Sequence, residues 1–310
     1  MDSYATKEGS VAIATNNRVS TRSTRKSKSK VPTPRKLIES LTSRISSKKL
    51  GEGVMEAHRE FIKESPTFFA YFKKENQSKN LKPNAVFLYD YNRVVLSGGD
   101  GDYYHASYVD GVAKKNQYIM AQAPFDTATQ VDFFRMLSQQ ELEAVVVMGD
   151  PKNEYFKFLW AQKGTYGGVS MSSESVDECE GFCVRNYTVN KEKLKVYCIT
   201  GWTVDHEPPK GFVSIHEKIR NAIGIDNRNT LLLVCRDGCS RCGLFCILDM
   251  ESERLRTKGR LKFTETVKNI RNHRSSCFDT HDLFDAAASV IMELAKRNTE
   301  NCRSGEIKTV

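Results

Sequence analysis

No stretch of the 310 residues approaches the roughly 18 consecutive apolar residues that a membrane crossing requires. Residues 1–10 also lack the basic start and following apolar run of a secretory signal. These two absences predict a soluble intracellular chain. Without an export signal, the 9 cysteines are not expected to form a disulfide framework, so they read as reduced thiols with core, catalytic or metal-binding roles. No internal repeat is present. Outside the N-terminal segment there is no excess charge of either sign. Residues 1–50 carry 12 of the 47 Lys and Arg and 3 of the 38 Asp and Glu, so the whole net charge of +9 sits there. A balanced body argues against nucleic acid as the partner of the folded part.

What is present begins with a tail. Residues 1–35 are rich in Ser, Thr, Lys and Arg and too poor in apolar side chains to offset the entropy of ordering. Within it, Arg25-Lys26-Ser27-Lys28-Ser29-Lys30 reads as a nuclear address, a contact for acidic surfaces, or a merely solvated run. Thr33-Pro34-Arg35-Lys36 resembles a proline-directed kinase site. Leu37, Ile38, Leu41 and Ile45, then Val54, Met55, Phe61 and Ile62, fall at helical spacing and predict a helical lead-in over 36–54 running into a domain over 55–300. Residues 301–310 read as a C-terminal tail. Strands are expected at 93–96, 103–109, 144–148, 184–189, 194–199 and 230–234, and helices at 242–255, 263–274 and 282–295. The pattern predicts an α/β (α+β) domain with a twisted mixed sheet flanked by helices.

The chemistry centres on one loop. Thr230-Leu231-Leu232-Leu233-Val234 is a continuous apolar run of strand length, the kind buried on both faces, and it delivers Cys235 to a strand end. Arg236, Asp237, Gly238, Cys239 and Ser240 then turn the chain, and a helical pattern resumes at Arg241. Strand, tight loop and helix N-terminus form an anion site. Loop N–H groups converge, the helix dipole adds partial positive charge, and a guanidinium can grip two oxygens. A thiolate held beneath a bound phosphoryl group can attack phosphorus. No metal or cofactor is needed for this chemistry. A zinc site from Cys239-x-x-Cys242 is the competing reading, but it would require the cradle to be abandoned.

Cys235, five residues, Arg241 and then Gly243 resemble the signature loop of the protein-tyrosine phosphatases. So do Tyr89-Asp90-x-x-Arg93-Val94-x-Leu96, Asp102-Tyr103-x-x-Ala106-Ser107-Tyr108-Val109-Asp110-Gly111, and Tyr118-Ile119-x-Ala121-Gln122-x-Pro124. Asp132-Phe133-Phe134-Arg135-Met136 and Thr266-Val267-Lys268-x-x-Arg271-x-x-Arg274 extend the likeness to about residues 55–297. The resemblance implies Cys235 as nucleophile, Arg241 as phosphate clamp, and Asp205, on the loop begun by Trp202, as the acid that protonates a phenolate leaving group.

The same resemblance marks departures that bear on rate. Val234 stands where the family has a histidine beside the nucleophile, and Cys242 replaces a hydroxyl residue after the arginine. Asp237 replaces an alanine, and would repel a bound dianion unless it points outward or pairs with Arg236; Ser240 replaces a glycine and threatens backbone strain. Asp205 sits one residue late. Pro83 takes the place of a ring-stacking tyrosine, and Asp279 and Leu283 the places of two water-positioning glutamines. The expected function is a phosphotyrosine-binding, pseudophosphatase-like signalling domain, cytoplasmic or nuclear, with dephosphorylation weak or absent. The alternative is an active tyrosine phosphatase working through a phosphocysteine intermediate. Its partner would be a phosphotyrosine-containing protein. For Cys239 and Cys242 two readings stand: either forms a reversible disulfide with Cys235 on oxidation, or both are plain reduced thiols.

Overall fold

The computed structural model describes residues 67–304 except 83–84, 151–152, 161–162 and 225–228, with a few separate positions between 35 and 59. The expected tail over 1–35 apart from Arg35, Pro83, and most of the lead-in helices lie outside the described residues.

The centre of the molecule follows from three apolar runs. β3 (Tyr118–Gln122), β4 (Leu142–Met148) and β9 (Thr230–Cys235) alternate their side chains between two hydrophobic layers. Tyr118, Met120, Val146, Leu231, Leu233 and Cys235 enter one layer; Ile119, Ala121, Val145, Val147, Leu232 and Val234 enter the other. A strand apolar on both faces must be covered on both, and this dictates a three-layer build. Among the described residues nine strands form one sheet, ordered β1-β2-β3-β9-β4-β8-β7-β6-β5. β1 (Arg93–Val95), β2 (Tyr103–Val109), β5 (Lys163–Tyr166), β6 (Val169–Cys179), β7 (Phe182–Val189) and β8 (Glu192–Ile199) complete it. The β3-β9, β9-β4 and β4-β8 pairs are parallel, and both flanks are antiparallel. The sheet is therefore mixed, as the sequence predicts.

Two short helices, α1 (Phe69–Phe72) and α2 (Lys74–Gln77), precede the sheet. α3 (Thr127–Gln139) covers one face with Phe133, Phe134, Met136 and Leu137. α4 (Phe212–Ile223), α5 (Ser240–Lys258), α6 (Phe263–His273) and α7 (His281–Ser304) cover the other. α7 runs past the domain boundary expected at residue 300 because its helical hydrogen bonding continues to Ser304.

α3 and α4 were not expected, although α3 carries a start signal. The Asp126 side chain accepts from the Thr129 N–H at 2.7 Å, and the Thr129 hydroxyl accepts from the Asp126 N–H at 3.1 Å, a reciprocal cap. Gln130, Phe133, Phe134 and Leu137 then share one face. β3, β5 and β6 were also missed: β6 is largely Ser and acidic residues, so alternation is faint, but Gly167 (φ 54°) and Gly168 (φ 85°) close the two-residue hairpin of β5 and β6.

One buried polar cluster ties α4 and α5 to β3. Asp249 Oδ1 lies 2.7 Å from His216 Nε2 and 3.1 Å from Arg220 Nε, and its Oδ2 accepts from the Tyr118 hydroxyl at 2.8 Å. Burial disfavours the Asp249 charge, but Arg220, His216 and Tyr118 together hold its pKa below the usual carboxylate range.

The functional loop is fixed by a close approach. Gly238 adopts φ +64°, and a Cβ there would lie 2.3 Å from the backbone nitrogen of Gln122 on β3. Arg274, fully buried, donates from Nε to Gly238 O at 3.0 Å and from a terminal nitrogen to His105 Nδ1 at 2.8 Å. Burial, and after it the Arg274 charge, keep His105 neutral, with its pKa pushed down to about 3.

Asp249→Ala should cost about 3–5 kcal/mol in urea unfolding, because it leaves Arg220 without its buried partner. A loss below 1 kcal/mol would mean the cluster is dispensable. Gly238→Ala should cost about 2–5 kcal/mol, combining the left-handed penalty with a backbone clash. Gly211→Ala, at φ +75° with open space around it, should cost about 1 kcal/mol. Equal losses in the two glycine variants would remove the case for the β3 contact.

Candidate functional site

β9 ends at Cys235, whose carbonyl accepts from Ala123 N at 2.8 Å and from Gly238 N at 3.2 Å. This pins both ends of the first loop turn. Helix α5 begins at Ser240, two residues earlier than expected, so Arg241 lies in its first turn. The loop therefore forms the strand, turn and helix start that the sequence predicts. Cys235 and Arg241 are both buried, at 1% and 7% exposure.

The centre of the loop is occupied by the protein itself. Asp237, 4% exposed, turns inward. Its Oδ1 accepts from the Cys239 N–H at 2.9 Å and the Ser240 N–H at 3.0 Å. Its Oδ2 accepts from the Ser240 hydroxyl at 2.8 Å and from Lys82 Nζ at 2.8 Å. The Cys235 thiol donates to Oδ1 at 3.2 Å. A carboxylate thus takes the amides at the helix start, where an anionic ligand would be held. Burial raises the Asp237 pKa, but Lys82, the Ser240 N–H and the Ser240 hydroxyl outweigh it and leave it far below the ordinary range.

Two points that the sequence left conditional are answered here. Asp237 turns inward rather than outward, and Lys82 and the loop amides compensate its charge. Ser240 does not need a glycine conformation: it opens α5 with helical backbone and donates its hydroxyl to Asp237. Arg236 is half-buried beside the site, and its charge disfavours that of Lys82.

Arg241 and Asp205 do come together. Arg241 Nε lies 2.9 Å from Asp205 Oδ1, and its terminal nitrogens donate to the carbonyls of Trp202 (2.9 Å), Met148 (3.2 Å) and Thr203 (3.3 Å). The guanidinium carbon sits 5.8 Å from the Trp202 ring centroid. Trp202 is itself buried against Phe212. Lys82 Nζ is 3.9 Å from Asp205 Oδ2. Lys82 thus bridges the carboxylates of the phosphate loop and the Trp202 loop. For Lys82, burial lowers the pKa, but Asp237 and then Asp205 raise it further, for a net rise.

Lys82 was missed because no local pattern marks a lone lysine after a short helix. Its neighbour Pro83 drew notice only through the family comparison. Arg274 was legible as part of a motif, but its role beneath the loop was not.

Asp279 is exposed at the surface. Desolvation nevertheless raises its pKa against the pull of Arg271, and the charges of Asp237 and Lys82 reach it. Leu283 is buried in the helical core, 6% exposed, so it contributes packing there. His206 is partly exposed, 3.8 Å from Glu207. Cys246 is core, fully buried in α5. α5 runs through Gly243 and leaves Cys235 and Cys239 outside it. Among the described residues no cluster of three or more His, Cys, Asp or Glu has metal-site geometry. No helix among them is long and apolar enough to cross a membrane. Of the two thiols read as possible partners of Cys235, Cys242 is its neighbour, while Cys239 Sγ lies 3.4 Å from Cys277 Sγ.

Known proteins share the sequence pattern and the fold. The human receptor-type tyrosine-protein phosphatase alpha is 28% identical over 238 residues, 70% of this chain and 30% of its own length. The chicken receptor-type tyrosine-protein phosphatase S is 30% identical over 245 residues, 73% of this chain and 16% of its own length. The chain therefore spans less than a third of these curated relatives. Two solved structures of PTPN18 share the fold, at TM-scores of 0.72 and 0.74 and identities of 20% and 19%. They cover 84% and 85% of this chain and 99% and 100% of their own, and the second is in complex with HER2 phosphopeptides. The family model described as protein-tyrosine phosphatase matches residues 76–293. A match that long, carrying the whole loop from Cys235 to Arg241, means that this chain belongs to the protein-tyrosine phosphatase family.

Proposed function

We propose that residues 55–300 form a phosphotyrosine-recognition domain whose dephosphorylating activity is weak or absent. The observation that carries this reading is the Asp237 carboxylate, which accepts both the Cys239 and the Ser240 N–H groups. A phosphoryl group could use those amides only after Asp237 gave them up, along with Lys82 and the Ser240 hydroxyl. Arg241 would also have to release Asp205. Each exchange lowers affinity, because a satisfied buried contact must be broken before a new one forms.

Hydrolysis carries further demands. Cys235 must attack as a thiolate, yet in this arrangement it donates a hydrogen to a carboxylate, a contact that a thiolate cannot make. Asp205 must donate a proton to the leaving oxygen, yet its carboxylate is engaged by Arg241 at 2.9 Å and lies 3.9 Å from Lys82. The HER2 phosphopeptides bound to PTPN18 support a phosphotyrosine peptide as the kind of ligand this loop takes. The alternative, an active phosphatase with Cys235 as nucleophile, Arg241 as clamp and Asp205 as acid, is favoured by the meeting of Asp205 and Arg241 at one mouth. The segment over 1–35 would add a basic contact for acidic surfaces, in cytoplasm or nucleus.

Purified chain given para-nitrophenyl phosphate should turn over at a rate indistinguishable from its Cys235→Ser variant. Rapid turnover abolished by that substitution would establish the enzyme instead. Asp237→Ala should tighten binding of inorganic phosphate or vanadate by on the order of tenfold to a hundredfold, the scale of removing a like charge about 4 Å away. Unchanged affinity, read by calorimetry, would show that Asp237 does not compete for the seat.

A further inference from the structure

Beyond the phosphate seat lies a second reactive arrangement. Cys239, the residue that caps α5, and Cys277, in the turn between α6 and α7, place their sulfurs 3.4 Å apart. Both are buried, at 1% and 0% exposure. The Cys277 thiol also approaches Cys239 O at 3.5 Å, and a Cβ on Gly243 would lie 3.4 Å from the Cys277 sulfur.

We propose that Cys239 and Cys277 form a reversible disulfide when the chain meets a peroxide, tying the phosphate loop to the α6–α7 turn. A disulfide needs an S–S distance of about 2.0 Å, so the sulfurs must close by about 1.4 Å, a movement within side-chain rotation. The Cys277 thiolate attacks a peroxide oxygen; the O–O bond breaks, a sulfenic acid forms and the leaving hydroxide takes a proton to become water. Cys239 sulfur then attacks the Cys277 sulfur; the S–O bond breaks and the departing hydroxide takes the Cys239 proton. Two thiols and one peroxide become one disulfide and two waters.

Burial holds the Cys239 thiol protonated, with Arg274 opposing, so Cys277 takes the first step and Cys239 the second. Arg271 donates to the Cys277 carbonyl, and its guanidinium charge reaches both thiols. The partner is then not Cys235, whose thiol faces Asp237. The bond would also hold Cys239, whose N–H supports the Asp237 carboxylate, so oxidation would stiffen the seat.

The test treats the full chain with hydrogen peroxide, quenches free thiols, and maps disulfide-linked peptides by mass spectrometry. The expected result is a mass lower by two hydrogens, two fewer titratable thiols in denaturant, and a peptide joining Cys239 to Cys277, all reversed by dithiothreitol. Cys235→Ser should leave the link intact, and Cys277→Ser should abolish it. A link from Cys235 to Cys239 or Cys242 would overturn the proposal. So would a link confined to Cys183 and Cys198, which face each other across β7 and β8, or oxidation with no crosslink. The wild-type peptide map decides the matter even if a variant fails to fold, and its outcome is independent of phosphotyrosine binding.

Discussion

A buried carboxylate seated on the helix-start amides of its own loop is the interaction on which the site depends. Such a loop gathers N–H donors at one point, and unsatisfied buried donors are costly. Phosphatase chemistry needs those donors to be available to a ligand. In this chain Asp237 satisfies them internally, and Lys82 neutralises the carboxylate from a segment 155 residues away in the chain. The Cys239 and Ser240 amides are thereby satisfied without a ligand.

The consequence reaches the second half of the site. Lys82 also faces Asp205, and Asp205 faces Arg241, so two cations and two carboxylates form one chain of contacts across the mouth. A phosphoryl dianion entering this balanced set would have to displace a carboxylate. Arg241 is further held by the carbonyls of Met148, Trp202 and Thr203. The side chains of the family's reaction are thus close together, but turned toward one another.

The scaffold explains why the loop keeps its shape despite altered side chains. The central parallel strands bury both faces, β9 ends against β3, and Gly238 fits where only a residue without a Cβ can approach Gln122. Arg274 braces the loop carbonyl from below, with His105 kept neutral to accept from it. These supports act on the backbone, so changes at Asp237, Ser240 and Cys242 alter the chemistry without dismantling the turn.

Much of the frame was legible in the sequence. The apolar run over 230–234, the strand over 103–109 and the helices α5, α6 and α7 announce themselves by period and length, because burial imposes the pattern on consecutive residues. The weakly patterned β6 did not, since a strand whose side chains are mostly polar leaves little alternation to read. α3 was hidden although its Asp126 and Thr129 cap was written in the chain. Cys235 and Arg241 were fixed as a pair by their spacing, which is a local property. The direction of the Asp237 carboxylate, the Lys82 bridge and the meeting of Cys239 with Cys277 were decided only by the tertiary fold. Each joins segments far apart in the chain, and no local period records which distant charge or sulfur will face a given side chain.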